Sequence, residues 1–421
     1  MKRNRLLLSL LLSALCLPPL RAQLSLEECR HQARDNYPLI RQYGLIEQAA
    51  QYDVANVAKA YLPQVSLSAK ASYQSDVTKL PFELPGIDIN FMPRDQYQVT
   101  LQVQQSVWDG GETKWRKQLV RAGAEVNTEK LNVDLYALDE RVNQLYFGIL
   151  LLDEQLTQNT LYNKELERNL KAVCSYRDNG LANEADVDAV QVEILQSHQQ
   201  RISLENNRRA YIRMLSLLTG EQLEESVHLT RPDTPVLTES LQIRRPELAL
   251  YNARQYQLNV REQALKAGIR PQLSLFAQGA YGNPGLNMLK DAFEPSYLVG
   301  ARLSWNFGSL YTLRNDRRQL DNERLKIESN RNLFLFNTRM QLTQQDETVR
   351  TLREQMKKDD EIIRLRTHIR QAAESKVANG TLSVTEMLRE LTRENLARQD
   401  KALHEIQLLL TYYQLQHLTN E

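Results

Sequence analysis

The sequence predicts a mainly α-helical chain carrying a small membrane β part. Three observations predict this. Four short segments alternate between apolar and polar residues, long polar stretches carry a heptad seam, and the order of these features is written twice along the 421 residues.

The chain opens with MKRNRLLLSLLLSALCLPPLRAQ. Lys2, Arg3 and Arg5 make a positive start, Leu6 to Leu17 an apolar run, and Ala22 ends a cleavage site. Residues 1–22 therefore read as a secretory signal peptide, with an apolar run too short to span a bilayer. Cys16 would suit a lipoprotein, but Leu15 before it is larger than the small residue expected there. Loss of Lys2, Arg3, Arg5 and Arg21 takes the 53 basic residues to 49 against 52 acidic ones, a net charge of −3 that offers nothing to nucleic acid. Only Cys29 and Cys174 remain, too few for a disulfide framework.

The duplication sets the domains. NYPLIRQYGLIEQAA (36–50) returns as RRPELALYNARQYQL (244–258), and YLPQVSLSAKASY (61–73) as GIRPQLSLFAQGAY (268–281). RDNGLANEADV (177–187) returns as VANGTLSVTEM (377–387), and YIRMLSLLTG (211–220) as TYYQLQHLTN (411–420). The copies are 208 residues apart early and 200 apart late. The first structural repeat is 23–220, the second 244–421, and 221–243, with Pro232 and Pro235, links them. Each half runs helix, strand, strand, long helix, turn, helix.

Helices are predicted over 26–61, 110–178 and 181–220, then over 244–268, 309–378 and 381–419. Ser25 and Glu28 have capping-box spacing, and Pro63 ends the first helix. In 110–178 the apolar residues Leu131, Leu135, Leu138, Val142, Leu145, Ile149, Leu152 and Leu156 alternate gaps of four and three, a coiled-coil seam. A helix of 69 residues runs roughly 100 Å, too long for an ordinary bundle. Leu335, Leu342, Val349, Met356 and Ile363 repeat every seven residues in the second half. Each long helix matches two shorter ones laid end to end.

Strands are predicted over 64–73, from Tyr97 toward Gly111, over 272–281 and over 297–307. Odd positions are apolar and even ones polar, with Gln105 and Phe276 out of step. Tyr73, Tyr97, Tyr281 and Tyr297 flank the loops 74–96 and 282–296. Trp108, Trp305 and Phe307 lie at the opposite ends. Two aromatic belts around an apolar band predict lipid-facing strands, with a soluble sandwich burying its apolar faces as the alternative. In lipid a sheet must close on itself, and four strands are too few. Two copies would give eight strands and three would give twelve, odd positions toward lipid and even ones toward a wet lumen.

These features together resemble the TolC family of bacterial outer-membrane efflux proteins, over roughly 24–420. The residues that carry the likeness are NYPLI with YLPQVSLSAKASY, SVWDGG leading into a long helix, NGLANEADV, the RPEL restart and the second-half echoes. The resemblance implies a channel-tunnel: a homotrimer sharing a 12-stranded β-barrel, four strands per chain, on a long coiled-coil α-barrel. It places the barrel in the outer membrane and the helices in the periplasm. The linker and both termini would lie mid-tunnel.

The resemblance also implies site residues. The tips Asn179, Gly180, Leu181 and Asn379, Gly380, Thr381, Leu382 would meet a periplasmic adaptor tied to an inner-membrane pump. Taken by themselves, they are helix turns whose glycines suit the left-handed position. Family acids six and nine residues after the second glycine ring the entrance; here these positions hold Glu386 and Arg389, and Asp186 matches the first-half acid. The family latch, a Tyr three before and an Arg two after that glycine, is absent, with Val377 and Leu382 in its place.

No catalytic, cofactor or metal arrangement stands out. The six histidines never fall at i, i+3 or i+4, the methionines are scattered, and Gly110-Gly111 is a strand-to-helix joint. The expectation is passive conduction of what a pump delivers, most simply drugs and other small molecules. Type I secretion of polypeptide is the alternative within the family. A soluble periplasmic coiled-coil adaptor or a secreted helical enzyme are the alternatives outside it.

Overall fold

The computed structural model describes residues 24–77, 93–235, 242–288 and 290–420. The expected signal peptide, and most of the first outer loop, lie outside the described residues.

The first helix, α1 (Leu26–Asn36), starts where Ser25 Oγ accepts the Glu28 amide at 3.2 Å. It does not continue to residue 61 as predicted. Tyr37 precedes Pro38, whose ring disfavours helical backbone in the residue before it, and Tyr37 is extended. The chain restarts through a 3₁₀ turn (Pro38–Arg41) into α2 (Gln42–Ala58), and a second 3₁₀ turn (Lys59–Tyr61) leads to the sheet. Two strands follow, β1 (Gln64–Tyr73) and β2 (Asp95–Trp108). Then come α3 (Glu112–Asp178), of 67 residues, and α4 (Glu184–Thr219). The second half runs α5 (Pro246–Gly268), β3 (Gln272–Asn283), β4 (Glu294–Ser304), α6 (Ser309–Ala378) and α7 (Val384–Thr419).

The four strands form one antiparallel sheet in the order β1-β2-β3-β4. β4 ends at Ser304, three residues short of the expected strand. Asn306 accepts the Gly308 amide on its side chain at 2.9 Å and the Ser309 hydroxyl on its carbonyl at 2.7 Å, a turn that stops pairing. Trp305 and Phe307 therefore lie just beyond the strand, their rings 4.7 Å apart.

The chain divides into two compact units. One gathers the described residues of Arg41–Leu131 and Glu247–Asn332, and so holds the sheet with α2 and α5. The other gathers those of Met1–Ile40, Asn132–Pro246 and Leu333–Glu421. In that unit the predicted seam of α3 is buried: Leu138, Val142 and Ile149 pack with Cys29, Ile212, Leu215 and Ile406. The linker crosses here, paired with the N-terminal segment. Leu24 bridges Leu229, and Tyr146 donates to both the Leu24 and Thr230 carbonyls, at 2.8 and 2.6 Å. The Arg244 amide meets the Thr419 carbonyl at 2.9 Å, tying the linker's end to the C-terminal helix.

Candidate functional site

The sheet is inverted relative to a soluble protein. On β3 the even, mainly polar positions are half-buried or buried, whereas Leu275, Ala277, Gly279 and Tyr281 are exposed. β2 repeats this, with Gln102 and Gln104 sheltered and Val99 and Leu101 exposed. Leu67 is 71 % exposed, Val299 65 % and Leu303 68 %. A sandwich would have covered this face, so the sandwich alternative is not what forms. Gln105, the residue out of step, sends its amide to the Tyr61 carbonyl at 3.4 Å at the helix end of the sheet.

The belt tyrosines share the apolar face and step across it. Tyr73 is level with Asp95, Tyr97 with Asn283, Tyr281 with Val99, and Tyr297 with Gly279. Measured along β2, the girdle advances two residues per strand, the kind of stagger a tilted barrel needs to keep a ring at one height. Phe293 joins it, 6.5 Å from the Tyr97 ring and 5.8 Å from that of Tyr281. The sequence reading missed Phe293 because it sits in a turn-rich loop. Trp108 marks the other end beside a bulge at Ser106/Trp108, and the Trp305 indole donates to the Ile269 carbonyl at 2.9 Å.

The joint from sheet to helix is built by SVWDGG. Asp109 is buried and accepts from the Tyr61 hydroxyl (2.7 Å), the Gly111 amide (2.9 Å) and the Thr113 amide (2.7 Å). Burial pushes its carboxyl up, but the bonds from Thr113, Tyr61 and Gly111 outweigh that and hold it below the ordinary value. Gly110 has φ +69°, and a Cβ there would meet the Arg270 Cβ at 2.7 Å. Sequence reading saw the joint but not the carboxylate that caps the long helix.

The two tips are built alike. Gly180 and Gly380 have φ +74° and +67°, and their amides bond the carbonyls of Arg177 and Val377 at 2.9 Å. Asn179 and Asn379 donate to the carbonyls of Ser175 and Ser375, at 2.7 and 2.8 Å. Leu181 is exposed and lies 3.8 Å from where a Gly380 Cβ would be, so the two tips sit side by side. Thr381 is exposed, its hydroxyl on the Lys376 carbonyl at 3.0 Å, and Leu382 is half-buried on a core that includes Val173, Val190, Val377 and Met387. Val377 is 3 % exposed, so it packs inside the tip, away from solvent.

The acids near the tips serve as caps. Asp186 accepts the Asn183 amide at 3.0 Å, while Asn183 accepts that of Asp186 at the same distance. Glu386 accepts the Ser383 hydroxyl at 3.1 Å and returns its own amide to Ser383 at 3.2 Å. Both are capping boxes, legible as N-x-x-D and S-x-x-E yet read only at Ser25. Arg389 is exposed one turn beyond Glu386. Deeper in the same unit lies a buried ion cluster that sequence reading did not find. Glu394 takes Arg370 (2.5 Å), Arg398 (2.6 Å) and the Thr367 hydroxyl (2.7 Å), and Glu374 joins Arg168 (2.7 Å) to Arg370 (2.6 Å).

An antiparallel four-stranded sheet with a bare apolar face, on a chain of long helices, defines the fold of outer-membrane channel-tunnels. The family model "Outer membrane efflux protein" matches residues 29–221. The CusC structure, described with transmembrane channel formation, has TM-score 0.71 at 15 % identity, covering 94 % of this chain and 91 % of that one. The outer-membrane channel OprN gives 0.70 at 15 % identity, covering 94 % and 89 %. The outer membrane protein VceC of Vibrio cholerae gives 0.68 at 12 %, covering 94 % and 95 %. No curated protein sequence matches the chain. The TolC-family resemblance and the TolC-like fold are borne out; the family and the structural neighbours are channels, not enzymes. Among the described residues no helix is long and apolar enough to cross a membrane, which bears on helices alone.

Proposed function

We propose that three copies of this chain pool their strands into a 12-stranded outer-membrane barrel. Their helices form a periplasmic tunnel that passively conducts small molecules delivered by an inner-membrane pump through a periplasmic adaptor. The observation that carries this reading is the inverted sheet: on β2 and β3 apolar side chains are exposed and most polar ones sheltered, and among the described residues each edge strand, β1 and β4, pairs on one side alone. Open edges and an uncovered apolar face are intolerable in lipid unless further copies close the barrel. Exposed apolar residues on α4 (Val192, Leu195, Ile202) and α6 (Ile362, Leu365, Ile369) fall at heptad-like spacings, which suits contacts between copies. The efflux description of the matched family favours small molecules over polypeptide as cargo.

In this reading the girdle residues Tyr73, Tyr97, Tyr281 and Tyr297 sit at one lipid–water boundary and Trp108, Trp305 and Phe307 at the other. The tips Asn179–Leu181 and Asn379–Leu382 meet the adaptor, and Asp186, Glu386 and Arg389 line the entrance. With Val377 and Leu382 drawn into the tip core, the closed state is held by packing within the tips. A photo-crosslinker at Leu181, the exposed tip position, tests the assignment in living cells. Capture of a periplasmic adaptor by a membrane-embedded trimer is the expected result. A trimer whose tip captures no envelope partner would remove the pump and adaptor from the reading.

A further inference from the structure

The polar face of the sheet carries a one-sided charge. Within the described strands its basic residues are Lys70 on β1 and Arg302 on β4. Its one acid, Glu294, opens β4 and is ion-paired with Lys290. The remaining even positions are Gln, Ser, Thr, Ala, Gly, Phe276 and Leu298, apart from Trp108, which the bulge before it sets level with Leu273. The other strand acid, Asp95, lies at the start of β2 on the opposite face, level with Tyr73.

The two cations sit at nearby depths once the stagger of the strands is counted. Lys70 is level with Gln98 and Gly282, and Arg302 with Ser274. Those levels are eight residues apart on β3, but the girdle itself advances six residues from β1 to β4; Lys70 is three residues from Tyr73 and Arg302 five from Tyr297, a difference of two residues or about 7 Å along a strand. Arg302 is also held in place. Its guanidinium lies over the Phe276 ring, 5.2 Å from the centroid. The facing residue is Gly300, where a Cβ would come within 2.9 Å of that ring. Leu298, opposite Gln278, adds a second apolar side chain to the same face and is half exposed.

We infer that the barrel lining selects organic anions with an aromatic or aliphatic body, through one belt of positive charge made by Arg302 and Lys70. This rests on the trimeric-barrel reading, in which the polar face becomes the lumen. The strand that would pair with β4 in the next copy is β1, whose polar face of Gln64, Ser66, Ser68, Lys70 and Ser72 offers Arg302 no carboxylate. Three copies would thus place six cations, with no carboxylate facing them among the described strand residues, in a narrow, low-dielectric passage, where a one-signed lining concentrates counter-ions by a factor of ten or more. Phe276 and Leu298 beside Arg302 give the apolar part of such an anion a surface to slide along.

Thiol labelling of the purified full-length protein in proteoliposomes tests this. Gln278→Cys puts a thiol on the polar face at the depth of Lys70, each three residues from the girdle tyrosine of its own strand, and Ala277→Cys puts one on the apolar face. The rates of an anionic and a cationic thiosulfonate are compared at Gln278→Cys, with and without Arg302→Gln and Lys70→Gln. The anionic-to-cationic rate ratio should fall about tenfold when both charges are removed. An unchanged ratio would overturn the inference and leave the barrel standing. Labelling at Ala277→Cys with protection at Gln278→Cys would instead overturn the face assignment, and the inference with it. Naphthalenesulfonate should slow labelling at Gln278→Cys more than methanesulfonate at equal concentration; equal protection would refute the apolar half. Should Arg302→Gln fail to assemble, Lys70→Gln alone, at an exposed strand position, reads the same lining.

Discussion

Leu101→Arg is the perturbation that most directly challenges the face assignment. Leu101 lies near the middle of β2, paired with Leu67 on one side and Gly279 on the other, and is exposed on the apolar face. From Tyr97 to Trp108 the strand covers about 36 Å at about 3.3 Å per residue. A tilt of about 40° turns this into about 28 Å of depth, close to the height of an apolar band. Leu101, four residues from Tyr97, sits about 10 Å below that girdle and so within a few ångströms of the midplane. An arginine on the lipid face there costs about 2–4 kcal/mol per chain, hence about 6–12 kcal/mol in a trimer. Gln102, its neighbour, points to the opposite, half-buried face with its amide near Gln104 at 3.5 Å. Gln102→Arg should assemble almost as the wild type does, while Leu101→Arg should leave little heat-resistant trimer in extracted outer membranes. Equal trimer yields from the two variants, or the reverse order, would refute the argument.

Three further outcomes follow from the structure. Gly110→Ala adds left-handed backbone strain of about 1–2 kcal/mol to the clash with Arg270, so the purified protein should melt at least about one to two degrees lower; an unchanged melt would show that the WDGG joint relaxes freely. Glu394→Gln takes one of two carboxylates from buried Arg370, which keeps Glu374, and the carboxylate from half-buried Arg398, and should cost about 1–3 kcal/mol by thermal or denaturant unfolding. Burial raises Glu394, but Arg398, Thr367 and Arg370 outweigh it and hold its carboxyl below the ordinary 4.5, so its contribution is full above that value and disappears as pH falls below it, a loss Glu394→Gln should not show. His417, stacked on Tyr136 at 4.1 Å, is pushed down from 6.5 to about 4 by burial and then by Arg245, Arg30 and Arg34. It stays neutral when folded but would take up a proton when unfolded, so stability should be full above pH 6.5 and drop by about 3 kcal/mol toward pH 4. In His417→Gln that slope should vanish from the pH series of melting curves.

The elements that were legible in the sequence are those whose signal is periodic and local. Alternation along 64–73 marked β1 residue for residue, and the gaps of four and three marked the buried seam of α3. What the sequence hid depended on single residues acting against a periodic background. Pro38 breaks the first helix although the flanking pattern is helical on both sides. Asn306 stops β4 although Phe307 keeps the alternation going. Asn183 and Ser383 move the starts of α4 and α7 three residues past the predicted positions by capping. At the tips, Val377 and Leu382 could be recognised as departures from the family latch. Only the packing shows that their side chains join the apolar core of the tips.

The inverted sheet also explains why alternation alone could not decide between a sandwich and a barrel. Period-2 alternation states that the two faces differ, and a sandwich and a membrane barrel share that pattern. They differ in which face is covered. In a sandwich the apolar residues would be the sheltered ones, and a second sheet would lie about 10 Å away. Here Phe276, Gln278 and Ala280 are sheltered while Leu275, Ala277 and Tyr281 stand free, although nothing but the curl of the sheet separates them. A sheet that curls around its polar face places glutamines and serines where water is confined and leaves valines and leucines where water would be costly. Folding of the chain alone would leave that apolar area uncovered. On the proposed reading, lipid completes the chain on the outer face and its own copies complete it at the edges, which leaves the charges of the inner face to act on what passes.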